Sequence, residues 1–382
     1  MIYLDHNATT PISPPVLQAM MPFFQENFGN ASSFYRIGRI ARTGLEEARA
    51  CVAAVIHSSP EEIVFTGSGT EADNLAFRGV CRAFYGRRRH IVTSSIEHHA
   101  VLKTCEDLEE QGVAVTRLPV DSQGAVDPDQ VLQSLTPDTV LISIMAANNE
   151  TGVLQPIEAI SRIARSRGIL FHTDAVQAFG KVPVSVDDLG IDLMTLSAHK
   201  IYGPKGVGAL YVRKGSAMAP VLTGGSHERG KRAGTENIAA IAGFAKAAEL
   251  AVENLAQDAV HMTALRDAFE EQVVQRIAQV RVNGRDASRV PNTSSMSFAS
   301  VDGESILLHL DLKGICASTG SACATGSAQP SHVMRAMGLS PMDAQSTIRF
   351  SLGRDTSQGD LDFTVRVLED TIEKLRYISS TA

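Results

Sequence analysis

Four short polar segments of this chain carry residue types and spacings suited to chemistry. The first, Thr66-Gly67-Ser68-Gly69-Thr70-Glu71, leaves an apolar run and opens an amphipathic one. Its glycines allow close backbone approach, and the free N–H groups of a helix start favour an anion, so a phosphate fits at this turn. Gly67, Gly69 and Ala72 also satisfy the looser G-x-G-x-x-A dinucleotide pattern, with Glu97 downstream as a ribose acid. On this motif alone, nicotinamide binding and a plain capped turn both stay open.

The second segment, Ser197-Ala198-His199-Lys200, follows an apolar run of strand length. A lysine in such a place is depressed in pKa by burial and becomes nucleophilic, which Schiff-base formation with an aldehyde cofactor requires. Ser197 and His199 beside it suit a phosphate. The third, His172-Thr173-Asp174-Ala175-Val176-Gln177, places a carboxylate where burial is costly unless it is paired. A protonated pyridine nitrogen is such a partner, and Gln177 then reaches the phenolic oxygen of the same ring; the ordinary alternative for Asp174 is a helix N-cap. In the fourth, Glu97-His98-His99-Ala100, we take His98 as a base stacked on an aromatic ring and His99 as a surface residue. A phosphate cradle, a lysine, an acid for a ring nitrogen and a stacking histidine together make a pyridoxal-phosphate site. The dinucleotide reading explains only the first of them.

These segments need a scaffold that brings them together. Between Glu62 and Arg213 apolar runs of strand length alternate with amphipathic helical stretches, the pattern of a mainly parallel sheet covered by helices. Strands are expected at 62–66, 90–94, 114–118, 140–145, 169–173, 192–196 and 208–212, a seven-stranded sheet whose polar loops converge beyond the strands' carboxyl ends. A long helix is expected from Ile238 to about Val280, and the rhythm then changes to a smaller α+β domain. The division expected is 14–256 for the large domain, with 1–13 and 257–382 forming the small one.

The 382 residues are 44% hydrophobic and carry a formal net charge of −7, which argues against a nucleic-acid surface. The run Arg87-Arg88-Arg89 reads as a solvated turn. Ile238 to Val252 is too short and too charged to span a bilayer, so no membrane partner is expected. The amino terminus has no leader pattern, which points to the cytoplasm. Five cysteines with no CxxC pair suit neither a disulfide framework nor a metal site. Cys51, Cys81, Cys105 and Cys316 read as buried structural residues.

Taken in order, LDHNATT, FTGSGTEADNLA, EHHAV, ANNETGVLQPI, HTDAVQAFGK, SAHKIYGPKGVGALYVR, GGSHERGKRAGTEN, STGSACATGSAQPSHVMRAMG and IRFSLGR resemble the motifs of the NifS and IscS cysteine desulfurases, within the class V aminotransferases. The resemblance covers nearly the whole chain and implies a type I pyridoxal-phosphate transferase fold. It implies that Lys200 forms the Schiff base, Asp174 pairs with the ring nitrogen, Gln177 bonds the ring oxygen and His98 stacks on the ring. Gly69, Thr70, Ser197 and His199 would hold the phosphate, joined by Thr235 from the partner subunit of a homodimer. Asn149 and Arg354 would hold the carboxylate of L-cysteine.

Cys323, within Ser-Ala-Cys, would be the nucleophile that takes sulfur as a persulfide, with alanine as the other product and a sulfur-acceptor protein such as an iron–sulfur scaffold as the partner. A selenocysteine lyase or a cysteine lyase on the same cofactor site is the alternative. The length from Cys323 to Arg354 resembles the long-loop branch of the family. Tyr35, in GNASSFYR, stands where the family usually has histidine. The chain also ends soon after its last helical stretch, without the extension by which some members dock a scaffold.

Overall fold

The seven apolar runs pair into one sheet in the computed structural model, which describes residues 1–86, 89–319 and 330–381. Its first half is formed by β1 (Ile2–Tyr3), α1 (Pro14–Gln25), α2 (Arg36–Val55), β2 (Ile63–Thr66), α3 (Gly69–Ala83), β3 (His90–Ser94), α4 (His99–Glu110) and β4 (Ala114–Leu118). Next come α5 (Pro128–Ser134), β5 (Thr139–Ser143), α6 (Ile157–Arg167), β6 (Leu170–Asp174), β7 (Leu193–Ser197) and β8 (Gly208–Val212). The strand order is β2-β8-β7-β6-β5-β3-β4, with β8 antiparallel to both neighbours and the other pairs parallel. The winding reverses between β3 and β5, and open sheets of this kind bind ligands beyond the carboxyl ends of the strands at such a point.

The strands form because their side chains are buried on both faces: β2, β3, β5, β7 and β8 are buried throughout. One face packs against α1, α2, α6 and α7 (Ile238–Glu253), where Phe65 meets Phe244 edge-on with ring centroids 6.5 Å apart. The other face is covered by α3 and α4 through Phe77, Val80, Val101 and Leu108. Burying each such aromatic or aliphatic side chain contributes about 1.5–3 kcal/mol.

The single long helix expected from Ile238 is two helices, α7 and α8 (Leu255–Arg276), broken at Asn254. Asn254 is the C-cap of α7: its side chain and its backbone N–H both donate to the Leu250 carbonyl, at 2.7 and 3.2 Å. The residues after α8 turn into strand: β9 (Val280–Val282), β10 (Thr293–Phe298) and β12 (Thr347–Ser351) make an antiparallel sheet in the order β12-β10-β9. Around it lie α9 (Gly303–Leu312), β11 (Ile315–Cys316), α10 (His332–Ala336), α11 (Pro341–Gln345) and α12 (Gln358–Thr381). A separate apolar cluster joins this sheet to α8, α9 and α12, and Leu4 from the amino terminus belongs to it because β1 pairs with β11.

Cys105 is buried as expected, whereas Cys51, Cys81 and Cys316 are only partly so and depart from the expectation of burial; Cys316 lies in β11, a two-residue strand paired with β1. Arg89 lies over the Tyr85 ring at 5.7 Å, while Arg87 and Arg88 lie outside the described residues. Among the described residues no helix is long and apolar enough to cross a membrane.

Candidate active site

The loops that follow β2, β3, β5, β6 and β7 meet around a cavity of about 410 Å³, which Asn7 and Ala8 from the amino terminus also line. Lys200 stands at the end of a short turn, Ala198–Lys200, that continues β7. Its Nζ donates to the carbonyls of Asn7 at 2.5 Å and Ala8 at 2.7 Å, so the amine is fixed at the cavity wall by acceptors that carry no charge. Asp174 closes β6 and is only 6% exposed. Burial pushes its carboxyl up to about 6, against the pull of the Val176 N–H, which donates to Oδ1 at 2.9 Å, and of the nearby Lys200. It does not cap the next helix, as its ordinary reading would have it. Beneath it His172 is fully buried, bonded to Ser143 and Thr195, and burial holds its imidazole down to about 3.

His98 is the N-cap of α4, and its Nδ1 accepts from the Ala100 N–H at 3.1 Å, which leaves the ring proton on Nε2. Burial first, and then the charge of Lys200, hold its pKa down to about 4, so the ring is neutral near pH 7. His99 was expected at the surface. It lines the cavity instead, with its ring centroid 4.8 Å from that of His332, because the α4 N-terminus is packed under α10.

Gly69, Thr70, Ser197 and His199 line the same end of the cavity. Ser68 caps α3 and takes the N–H groups of Glu71 and Ala72, leaving those of Gly69 and Thr70 with no acceptor among the described residues. A Cβ at Gly69 would lie 3.0 Å from Val176 Cγ2 and 3.4 Å from Ser197 Cβ, so a side chain would close the space in front of those amides. His199 is bonded through Nδ1 to Thr9 Oγ1 at 3.1 Å, and burial holds it down to about 4.

The chain matches the family description "Aminotransferase class-V" over residues 2–363. The chain belongs to this family. It is 52% identical to the cysteine desulfurase IscS of Dictyoglomus turgidum over 378 residues, covering 99% of this chain and 96% of that one. It is 47% identical to a cysteine desulfurase of Nostoc sp., with 99% and 94% covered. Among solved structures, a NifS-like protein superposes with a TM-score of 0.92 at 38% identity, covering 98% of this chain and all of the other. SspA in complex with cysteine superposes with a TM-score of 0.82 at 36% identity, with 92% and 99% covered.

The cofactor of this class V aminotransferase fold is pyridoxal 5'-phosphate. The residues present fit it. No lysine, arginine or histidine among the described residues forms a salt bridge with Asp174, and a protonated ring nitrogen supplies the partner that a buried carboxylate needs. The two unclaimed amides at the start of α3, beside Ser197 and His199, are a site for a phosphate. The dinucleotide alternative falls on Glu97, which is fully buried, accepts from Ser94 Oγ at 2.6 Å and from the Met145 N–H at 3.0 Å, and is pushed up to about 8 by burial. Such a carboxyl is not offered to a ribose.

The structure brings together Lys200, Asp174, Gln177, His98, Gly69, Thr70, Ser197, His199 and Asn149. It does not bring Arg354 there. Arg354 Nε donates to Asp258 Oδ2 at 2.6 Å, and its guanidinium lies over the Tyr202 ring at 4.6 Å, beside a neighbouring small cavity. Arg349, five residues earlier, lines the main cavity, because β12 holds it mid-strand whereas Arg354 follows the strand's end. Thr235 is exposed in the segment before α7 and does not line this cavity. Cys323 lies outside the described residues.

Sequence reasoning passed over Asn7, Lys181 and Glu150. Asn7 accepts through its carbonyl from Lys200 and from Gln177 Nε2, and through Oδ1 from Lys181 Nζ and Asn292. Lys181 is fully buried, its pKa lowered well below the ordinary value by desolvation, and its Nζ orients Gln177 Oε1 at 2.6 Å. The signal available was LDHNATT, an unusually polar run beside a terminal strand.

Proposed function

We propose that this protein is a cysteine desulfurase that converts L-cysteine to L-alanine and leaves the sulfur as a persulfide on Cys323. What carries the reading is the convergence on one cavity of the Lys200 amine, the buried Asp174 carboxyl, the His98 ring and the α3 N-terminus. Relatives 44–52% identical over nearly the whole chain, which are named cysteine desulfurases, support it.

In this reading Lys200 holds the coenzyme covalently, Asp174 faces the ring nitrogen, Gln177 the ring oxygen, and His98 packs over the ring. Gly69, Thr70, Ser197 and His199 hold the phosphate, with Thr235 contributed by a second copy. When bound, the coenzyme withdraws electrons from the substrate's Cα and makes its proton removable. Asp174, kept ionised by the opposed ring nitrogen, sustains that withdrawal. Lys200 Nζ takes the Cα proton, and neutral His98, with its proton on Nε2, can pass protons without adding charge over the ring.

Arg349, rather than Arg354, binds the substrate carboxylate with Asn149, since it is Arg349 that lines the cavity. The Cys323 sulfur bonds to the substrate sulfur as the substrate's Cβ–S bond breaks, and protons taken up at Cβ and Cα complete alanine. Cysteine and the enzyme thiol thus give alanine and the persulfide, with no further reactant.

The proposal includes a cytoplasmic homodimer passing sulfur to an iron–sulfur scaffold protein. Four free cysteines among the described residues suit a reducing compartment. The exposed Phe24, Phe28, Phe34 and Tyr35, all within a dozen residues of sequence, support a subunit contact. We divide the chain into 14–256, binding the coenzyme, and a smaller domain of 1–13 and 257–382. In the test, purified Cys323→Ala protein keeps the visible absorbance of bound coenzyme and forms neither persulfide nor alanine. Unchanged turnover by that variant overturns the reading in favour of a selenocysteine lyase or cysteine lyase.

A further inference from the structure

The chain reverses as soon as it has passed Lys200. The N–H groups of Ile201 and Gly203 both donate to the Ala198 carbonyl, at 3.1 and 3.0 Å, and a Cβ at Gly203 would lie 2.7 Å from that same oxygen. So tight a reversal puts Tyr202 in the left-handed region, at φ 64°. Glycine takes that backbone freely, but an aromatic residue is strained there and stays only where its surroundings hold it. Tyr202 is held by three bonds. The Ser13 N–H donates to its carbonyl at 3.1 Å, the Arg354 N–H to its Oη at 2.8 Å, and its own N–H donates to Thr10 Oγ1 at 2.7 Å.

Thr10 ties this turn to the backbone ahead of the lysine. It is 3% exposed, and its single hydroxyl proton goes to the His199 carbonyl at 3.0 Å, which leaves a lone pair for the Tyr202 N–H. The Thr10 N–H donates to the same His199 carbonyl at 2.9 Å. One side chain thus bonds the main chain on both sides of Lys200. The residues before it serve the lysine as well: Thr9 Oγ1 bonds the His199 ring, and the carbonyls of Asn7 and Ala8 take the amine. This segment is anchored in turn to β12, where Ser351 accepts from the Asn7 N–H through Oγ and from the His6 N–H through its carbonyl.

We propose that Thr10 and Tyr202 are positioning residues for Lys200: the Thr10 hydroxyl keeps the strained turn closed, and the closed turn aims the lysine amine into the cavity. Strain is what makes the hydroxyl matter. Without it the Tyr202 N–H loses its acceptor, and the residue relaxes toward negative φ. Lys200 and Ile201 directly precede Tyr202, so that rotation is passed to the direction in which the lysine side chain leaves the backbone. A displacement of about 1 Å at a reacting group can cost about a hundredfold in rate, so a small rotation suffices.

This inference rests on the reading in which Lys200 holds the coenzyme, and its test keeps the two apart. Coenzyme-free Thr10→Val, Thr10→Ser and Tyr202→Gly proteins and the Thr10→Val/Tyr202→Gly pair are mixed with pyridoxal 5'-phosphate. The rate of uptake is followed by visible absorbance, and borohydride reduction followed by peptide mass shows which residue holds the coenzyme. Thr10→Val, nearly the same shape without the hydroxyl, takes up the coenzyme about ten- to hundredfold more slowly, the size of one lost buried hydrogen bond. Thr10→Ser keeps the hydroxyl and stays near wild type. Fully loaded Thr10→Val keeps a KM for cysteine near wild type.

The double variant separates a strained turn from mere loss of packing. Glycine has no preference for negative φ, so Thr10→Val slows uptake much less in the Tyr202→Gly background than in the wild type. Equal slowing in both backgrounds overturns the proposal. Should Thr10→Val not fold, Tyr202→Phe, which gives up only the bond from the Arg354 N–H, carries the test with slower uptake expected and wild-type uptake overturning it. Wild-type uptake by Thr10→Val, while Lys200→Ala retains no coenzyme after borohydride, overturns the positioning role and leaves the assignment of Lys200 standing. Coenzyme fixed by borohydride to Lys200→Ala overturns that assignment itself.

Discussion

Arg349 Nη1 donates to the carbonyl of Asn149 across 200 residues of sequence, and Nη2 of the same guanidinium donates to Asp5 Oδ1 at 2.7 Å. The cation is therefore aimed by two separate elements at the wall of the cavity. We expect Arg349→Ala to raise the KM for cysteine by about a hundredfold, and Arg349→Lys to recover only part of this, since an ammonium lacks the planar fork. Arg354→Ala should leave KM near wild type and lower stability by about 1–3 kcal/mol through its lost bond to Asp258. Steady-state kinetics and urea unfolding of the three variants check this; a KM effect confined to Arg354 would reverse the assignment.

Asp174 gives a pH dependence whose sign can be worked out. Its carboxyl is raised from 3.8 to about 6 in the folded protein without coenzyme. A carboxyl raised on folding stabilises the fold below its unfolded pKa, and that contribution disappears as pH climbs through the folded value. Between about pH 4 and pH 6 the coenzyme-free protein thus loses on the order of 3 kcal/mol from this group. Asp174→Asn, which keeps an oxygen for the Val176 N–H, should be the more stable coenzyme-free protein at pH 7.5 and hold no such advantage at pH 4. The same variant should bind pyridoxal phosphate more weakly. Thermal unfolding across this range, with and without coenzyme, measures both effects.

Behind the sheet Arg49 and Glu228 form a buried pair, with Nη1 and Nη2 on Oε2 and Oε1 at 2.7 and 2.9 Å. Glu228 also accepts from the Phe65 N–H at 2.8 Å, and it holds a positive φ of 47°. The pair anchors the segment that leads to Thr235. Arg49→Met leaves Glu228 buried and unpaired and should cost about 3–5 kcal/mol. The double variant Arg49→Met/Glu228→Gln should recover part of this in chemical denaturation. If the single and double variants unfold alike, the pair has no such role.

The parallel sheet and its pocket were legible because the fold's local signals agree. Each strand is a short apolar run, each pocket loop follows one at its carboxyl end, and nine of the expected residues line one cavity. Boundaries slipped where a neighbour decided them. Asn254 fits a helix interior by pattern, yet its side chain bonds the Leu250 carbonyl and the helix ends there. His99 looked solvated because the two histidines are adjacent in sequence, whereas α10, more than two hundred residues later, covers it.

By itself, then, the sequence determined which chemical groups are present and which strand ends present them, since alternation and polar punctuation are properties of neighbouring residues. The fold alone decided between Arg349 and Arg354. Both belong to one motif, but only the first sits mid-strand in β12 and lines the cavity. It also decided that Asn7, Lys181 and Glu150 belong to the site. Their partners are distant in the chain, and a hydrogen bond or a desolvated charge exists only once folding has brought the two sides together.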